Sequence, residues 1–148
     1  CGSAALATLL TYHFDQPVSE DEVFERMYAR GDRARIRREG FSMLDLRGYL
    51  RSRGLEADGF ELPLDKLIEE GVPAIVLINE RGYRHFVVVK GLLGGRVLVG
   101  DPAIGDHGRE LEGLQGTHEA SLARACAGEG RAGAAHDLVE PLVEHAER

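Results

Sequence analysis

The sequence predicts an α+β fold in which several helices precede an antiparallel sheet. Residues 2–54 contain helix-start residues followed by apolar residues at helical spacing. Residues 73–101 instead contain short apolar runs separated by glycine turns, a pattern typical of strands. The 148 residues suit one domain. No apolar run approaches the ~18 residues that a membrane span requires, so no span is expected within this chain.

The first two predicted helices have clear boundaries. Residues 2–14 are rich in Ala and Leu and meet no breaker before Asp15, which predicts a largely buried helix. Ser19 followed by Glu22 is a capping box, which predicts a second helix over about residues 20–29. The apolar residues expected to form its buried stripe are Val23, Phe24 and Met27.

Residues 30–38 carry five arginines and one aspartate. We interpret them as a solvated loop, and the alternative is a basic rim for an acidic ligand. Ser42 then predicts the start of a third helix that ends at Gly54, and residues 64–70 predict a short fourth helix. The expected inner face of the third helix comprises Met43, Leu46 and Leu50.

Four short runs predict the strands. They share apolar or β-branched residues and are bounded by Gly, Pro or charged residues. The run over residues 73–79 is continuously apolar, which indicates burial on both faces of the sheet. We expect a hairpin joined through residues 91–95 near the end of the series. The predicted strands are 55–60, 73–79, 84–90 and 96–100.

The last third of the chain differs in composition from the rest. All nine aromatic residues lie within residues 1–86, and residues 106–148 have none. Aromatic side chains supply much of the buried area of small cores. We therefore expect residues 1–105 to form the core domain. Residues 106–148 should form a divergent, poorly ordered tail, originating either as a true extension or through a reading-frame change, and without a closing strand for the sheet.

Composition excludes several classes of function. The net charge of −7 argues against a nucleic-acid-binding surface. Two cysteines are too few for a disulfide framework. Four histidines occur in residues 106–148 but match no metal-ligand spacing, and the glycines of residues 91–95 lack the Lys-Ser/Thr of a phosphate loop. We expect neither a metal nor a cofactor.

The predicted hairpin brings together an imidazole and a carboxylate. A turn centred on Leu93 pairs Val89 with Val97 and Val87 with Val99, and this register places His85 opposite Asp101. Directly opposed residues lie on one face with Cβ atoms roughly 5 Å apart. The carboxylate can then accept a hydrogen bond from one ring nitrogen, which fixes the tautomer and stabilises the imidazolium.

Cys1 supplies a candidate nucleophile because it directly precedes the first predicted helix. The unsatisfied N–H groups and the dipole at a helix N-terminus favour the thiolate. A helix-terminal Cys with a distant His and Asp is an arrangement for acyl transfer at a cysteine. In this interpretation His85 pairs with the thiolate and protonates the leaving amine, Asp101 orients His85, and the main-chain nitrogen of Cys1 helps to hold the oxyanion.

These residues carry a resemblance to a known family. CGSAALATLL at 1–10, GYRHFVVVK at 82–90 and VLVGDPAIG at 97–105 resemble the motifs of peptidase family C39, the double-glycine peptidases that process bacteriocins. GFSMLDL and VPAIVLI between them are also similar. The resemblance covers residues 1–105 and is nearer to the stand-alone group than to the exporter-fused group.

The resemblance implies a papain-like fold and a Cys-His-Asp triad, which by motif match comprises Cys1, His85 and Asp101. It also implies cleavage of precursor peptides after a Gly-Gly or Gly-Ala leader. The expected partners are a leader-bearing precursor and an ABC exporter or other secretion machinery, including systems for functional amyloid. It favours a monomer in the bacterial cell envelope or periplasm, with the cytoplasmic face of the inner membrane as the alternative.

Two other functions stay open. In N-terminal-nucleophile hydrolases the free α-amino group acts as the base, and His85 would then be dispensable. A catalytically impaired peptide-binding domain associated with an exporter is the non-enzymatic alternative. The family carries an oxyanion Gln a few residues before its Cys, and the chain begins at Cys1. We therefore expect an N-terminally truncated domain of reduced activity, since such a donor contributes about 10²–10³ in rate.

Overall fold

The computed structural model describes residues 1–61, 66–67, 69, 73–80, 82–93, 96–102, 105–110 and 121–127, the last two segments by their backbone alone. Its helices are α1 (Gly2–His13), α2 (Glu20–Arg30), α3 (Arg33–Glu39) and α4 (Met43–Ser52). Its strands are β1 (Leu55–Glu61), β2 (Ala74–Glu80), β3 (Tyr83–Leu93), β4 (Arg96–Asp101), β5 (Gly105–Glu110) and β6 (Ser121–Ala127). The predicted α+β class, with N-terminal helices and an antiparallel sheet, is confirmed.

The predicted helix starts at Ser19 and Ser42 are confirmed. The Ser19 hydroxyl accepts a hydrogen bond from the Glu22 amide. Ser42 forms a complete capping box with Asp45, whose carboxylate accepts from the Ser42 amide at 2.7 Å. These bonds satisfy amides that have no partner inside the helix, so α2 and α4 begin where their serines stand.

The loop interpretation of residues 30–38 is wrong, because residues 33–39 form helix α3. Asp32 caps it by accepting from the Arg35 amide, and this hydrogen bond is the main cause that lowers the pKa of Asp32. Ile36 is its one buried residue. Contacts with α4 also stabilise this helix, since Arg35 donates hydrogen bonds to both carboxylate oxygens of Asp45 on α4 at 3.0 and 2.8 Å.

The six strands form one antiparallel sheet in the order β1-β6-β2-β3-β4-β5. β6 comes from the predicted tail and lies between β1 and β2, pairing with both. β5 also extends beyond residue 105 and pairs with β4. The core sheet therefore does not end at residue 105, and the expectation that no further strand follows is wrong.

The sheet separates two buried clusters. The first lies between the sheet and the helices α1, α2 and α4, and it includes Leu6, Leu46, Phe86 and Val88. The second lies on the opposite face and includes Val87, Val89 and Val99 together with Ile78 of β2. β3 therefore has buried residues on both faces, which is why its sequence is a continuous apolar run.

Other predictions meet mixed outcomes. Val23 and Met27 are buried as predicted, whereas Phe24 is 45% exposed and does not belong to the buried stripe. Of the predicted helix 64–70, only Lys66, Leu67 and Glu69 are described, and they are helical. None of the helices in the described part of the chain is long and apolar enough to cross a membrane.

Candidate active site

Cys1 stands at the N-terminal end of α1. Its carbonyl accepts the first helical hydrogen bond, from the Ala5 amide at 2.9 Å. Its thiol is exposed, free of a disulfide, and makes no capping hydrogen bond to the helix. The thiol is therefore available for chemistry at a position where the helix dipole favours negative charge.

Gly2 fixes the start of α1 against the sheet. It is buried, and a Cβ atom added there would lie 3.2 Å from Leu46 Cδ1 and 3.4 Å from both Phe41 Cβ and Phe86 Cδ2. Phe86 is the neighbour of His85 in β3. The absence of a side chain at residue 2 thus lets the N-terminus of α1 approach the strand that carries the imidazole.

His85 and Asp101 form the most buried polar contact described. Nε2 of His85 lies 3.0 Å from Oδ2 of Asp101, and the two residues are 4% and 3% exposed. A carboxylate only accepts hydrogen bonds, so Nε2–H is the donor. The neutral imidazole then carries its lone pair on Nδ1, the nitrogen that can act as a base.

The contact forms, but the register that predicted it is wrong. Val89 pairs with Val99 rather than with Val97, a shift of two residues. Continuing this register one step past Val88 and Gly100 places Asp101 opposite Val87. His85 is then the diagonal neighbour of Asp101 on the same face, within reach of a long side chain.

A β-bulge decides which face Asp101 occupies. The ladder steps from Val89 opposite Val99 to Gly91 opposite Leu98, so the register shifts by one residue at Lys90. If the register near the turn continued unchanged, Asp101 would lie opposite Val88, on the face that His85 does not share. Bulges commonly redirect side chains in this way beside active sites.

Gly91 gives the bulge its backbone conformation. Its φ of 152° lies in a region that residues with a side chain rarely adopt. The valine run of β3 pairs equally well in either register, so hydrophobic pattern alone did not identify the bulge. A glycine that interrupts a strand pattern is the one signal that could have found it.

The second ring nitrogen of His85 has no partner. Nδ1 is buried and forms no hydrogen bond with any described residue, so the structure does not join it to the Cys1 thiol. Leaving a buried polar atom unsatisfied costs about 1–3 kcal/mol, and a catalytic role is one of the explanations for such an atom in a folded protein. The structure thus brings His85 and Asp101 together and leaves the third predicted residue outside hydrogen-bonding contact.

One residue of the site escaped the sequence reasoning. Tyr83 stacks on His85, with ring centroids 5.1 Å apart and an angle of 29° between the planes. The only sequence signal is its position two residues before His85 in a strand, because alternate residues share a face. Tyr83 is 62% exposed, whereas the imidazole below it is almost inaccessible to solvent.

Residues 40–42 connect the site to the Arg35–Asp45 pair. Phe41, which contacts Gly2, directly precedes the capping serine Ser42. Burial by itself raises the pKa of Asp45, but hydrogen bonds from Arg35 and Ser42 outweigh it and lower that pKa below its usual value. The charged Asp45, hydrogen-bonded to Arg35 and Ser42, thus anchors residues 40–42 beside the start of α1.

Metal ligation finds no support within the described ranges, where no three His, Cys, Asp or Glu side chains are grouped to hold an ion. The side chains of His107, His118, His136 and His145 lie outside the described residues.

Comparison with known proteins places the chain in a family. The model of the Peptidase C39 family matches residues 1–119. The chain is 45% identical over 105 residues to a probable functional amyloid protease, FapD, of Pseudomonas aeruginosa, and 41% identical over 106 residues to FapD of Pseudomonas fluorescens. These matches cover 71% and 72% of the chain but 46% and 47% of the relatives, so the chain spans about half their length.

Solved structures agree with the fold. A double glycine motif protease from an AMS/PCAT transporter, solved in complex with its leader peptide, is 31% identical with a TM-score of 0.68, and the match covers 85% of this chain and 84% of that one. The peptidase domain of Streptococcus ComA, a bifunctional ABC transporter, has a TM-score of 0.70 at 19% identity, covering 86% and 91%. These likenesses confirm the papain-like α+β fold that the sequence resemblance implies, and the chain belongs to the peptidase C39 family.

Proposed function

We propose that the chain is the catalytic domain of a cysteine endopeptidase that removes Gly-Gly or Gly-Ala leaders from precursor peptides. One observation carries the proposal. His85 is held by Asp101 through Nε2, and its buried Nδ1 has no hydrogen-bond partner among the described residues. A thiol paired with Nδ1 would satisfy this atom, and Cys1 is the free, exposed thiol at the start of the neighbouring helix α1.

Each residue then has one role in the reaction. Nδ1 of His85 takes the proton of the Cys1 thiol, which yields a thiolate–imidazolium pair. The thiolate attacks the carbonyl carbon of the second residue of the Gly-Gly or Gly-Ala pair, whose bond to the next nitrogen is the one that breaks, and the main-chain nitrogen of Cys1 helps to stabilise the oxyanion. The imidazolium returns its proton to the leaving amine, and water hydrolyses the resulting thioester. Asp101 touches no substrate and orients His85 throughout.

The pairing of Sγ with Nδ1 requires the thiol and the imidazole to approach each other. Catalytic hydrogen bonds are often long or absent without substrate and tighten in the substrate complex. Gly2 already lies against Phe86, one residue along β3 from His85, so the two groups are carried by elements in contact. Substrate binding would supply the remaining approach.

The substrate class and partners are taken from relatives. The transporter-derived protease binds a leader peptide, and the Pseudomonas relatives are named for functional amyloid. By analogy, the substrate of this chain would be a precursor exported through an ABC exporter or other secretion machinery, at the bacterial cell envelope. Fractionation of cells expressing the tagged gene product tests this location, and recovery solely in the cytosol would contradict it.

Cleavage by the complete gene product tests the activity. A synthetic precursor peptide with a Gly-Gly leader should be cut after the second glycine, and Cys1→Ala should abolish the cut while the peptide still binds. Cleavage by the Ala variant would show that Cys1 is not the nucleophile. Binding without cleavage by the unsubstituted protein would favour a catalytically impaired peptide-binding domain instead.

A further inference from the structure

Tyr83 occupies a place that the reaction as proposed does not use. Its aromatic ring covers one side of the His85 imidazole at a centroid distance of 5.1 Å. His85 is 4% exposed and Tyr83 is 62% exposed, so the phenol ring lies between the imidazole and solvent on that side.

The backbone below Tyr83 is well fixed. It is the first residue of β3 and pairs with Glu80 at the end of β2. Gly82 precedes it with a φ of 90°, and its amide donates a 3.0 Å hydrogen bond to Oδ1 of Asn79. A short, hydrogen-bonded turn thus delivers the phenol ring to the same face as the imidazole two residues later.

We propose that Tyr83 is a positioning residue for His85, which holds the imidazole plane and shields the Nε2–Asp101 hydrogen bond from water. This inference rests on the proposed peptidase function. A stacked aromatic ring restricts rotation of the imidazole about its χ2 angle. A hydrogen bond protected from water is electrostatically stronger, because the local dielectric constant is lower.

The stacked ring can also interact with the imidazolium that forms during the reaction. The face of a phenol ring carries partial negative charge, which attracts a cation placed over it. The imidazolium of the thiolate–imidazolium pair would be such a cation, with Asp101 at its edge and Tyr83 on its face. The phenol hydroxyl has no role in this stacking, so Tyr83→Phe should retain the function of Tyr83.

The first test measures the hydrogen bond between His85 Nε2–H and Asp101 directly and does not depend on enzymatic activity. In the complete gene product labelled on histidine, the Nε2–H proton of His85 should give a slowly exchanging low-field NMR signal, identified by its loss in His85→Ala. Tyr83→Ala should speed its exchange with water at least tenfold, whereas Tyr83→Phe should leave it within twofold. Exchange unchanged in Tyr83→Ala would overturn the inference.

The second test reads turnover on a leader peptide. Tyr83→Ala should lower kcat by roughly tenfold to a hundredfold, the scale expected when a reacting group is displaced by about 1 Å. KM should change less than twofold, because the ring is assigned no contact with substrate. A rise in KM at unchanged kcat would overturn the positioning role and identify Tyr83 as a substrate contact.

Two further variants keep the tests specific. Tyr28→Ala removes another stacked tyrosine ring, one that lies on Phe24 of α2 with ring centroids 5.7 Å apart rather than on His85, and it should change neither readout. Tyr83→Leu retains a large apolar side chain without a ring, so it should behave as Tyr83→Ala if stacking matters. The NMR signal reports on Tyr83 even if the protein proves not to be a peptidase, so failures of the two proposals can be told apart.

Discussion

His85 and Asp101 are bonded at 3.0 Å although they are not opposite each other in the ladder between β3 and β4. They share a face because the register of the ladder shifts by one residue at Lys90. The site therefore depends on an irregularity at Lys90 and Gly91, which are five and six residues after His85 in β3. This dependence can be tested apart from the catalytic residues.

Gly91→Ala should damage the site through the bulge. A side chain at a φ of 152° is strained, at a cost of about 1–3 kcal/mol in stability. Relief of the strain by realigning the ladder would separate His85 from Asp101, so alkylation of Cys1 should slow as well. Urea unfolding and the rate of iodoacetamide alkylation measure the two effects.

Gly54→Ala is the matched control for the bulge. Gly54 also has a positive φ, of 79°, but it follows α4 and lies outside the β3–β4 ladder. The control should lose stability and keep its alkylation rate. Equal slowing in both variants would mean that the bulge has no specific role.

Asp101→Asn and Asp101→Ala test the two functions of the carboxylate, which are to accept the hydrogen bond from His85 and to supply a negative charge. The amide oxygen of asparagine can still accept from Nε2–H, but it carries no charge to stabilise the imidazolium. We expect kcat on a leader peptide to fall by about 10² or more for both variants, and by up to about 10⁴ for asparagine where its amide group imposes the wrong tautomer on His85. An alanine variant as active as the unsubstituted protein would exclude Asp101 from the reaction.

Gly2→Val should disrupt the approach of α1 to β3. The new side chain would begin 3.2–3.4 Å from Leu46, Phe41 and Phe86, and overpacking of this kind costs about 1–3 kcal/mol. Thermal unfolding should show the loss directly. Gly48→Val is the control, because a Cβ atom there meets nothing within 4 Å, and its stability should stay within about 0.5 kcal/mol. Similar losses at both positions would contradict close packing at Gly2.

Asp45→Asn should destabilise the protein by about 1–3 kcal/mol at neutral pH, since it removes a charge that Arg35 and Ser42 bind. The pKa of Asp45 is lower in the folded protein than its unfolded value of about 3.9, so its stabilisation is fully present above that value. It is lost as the pH falls through the folded pKa. The difference in the free energy of unfolding between Asp45→Asn and the unsubstituted protein should therefore narrow below about pH 4.

Asp58→Asn provides the comparison for this effect. Asp58 pairs with Arg51, and both side chains are more than half exposed. Exposed pairs contribute about 0–1 kcal/mol, so this substitution should matter little at any pH. Urea unfolding of both variants at pH 7 and pH 3 makes the comparison, and a gap for Asp45→Asn that does not narrow would contradict the assigned role.

Sequence patterns located the elements that carry their own signals. Ser19 and Ser42 mark helix starts because their hydroxyls satisfy amides of the following turn, and this depends on nearby residues alone. The valine run of β3 similarly predicts a buried strand. Its exact pairing was missed because one valine faces another equally well after a shift of two residues.

The elements that were missed depend on distant residues. The sequence of α3 resembles a polar loop. The helix is stabilised by the burial of Ile36 and by the hydrogen bonds from Arg35 to Asp45, which lies ten residues further along the chain. β6 has the sequence SLARACA, which lacks β-branched residues, and it becomes a strand by lying between β1 and β2. Tertiary context overrides weak local propensity in both cases.

The central claim is that His85, held by Asp101, activates Cys1. The most direct measurement is the rate at which iodoacetamide alkylates Cys1 at neutral pH in the complete gene product, followed by mass spectrometry of the Cys1 peptide so that Cys126 does not interfere. If the account is correct, His85→Ala will slow alkylation at least tenfold relative to the unsubstituted protein. An unchanged rate would contradict it, because Cys1 would then be activated without His85.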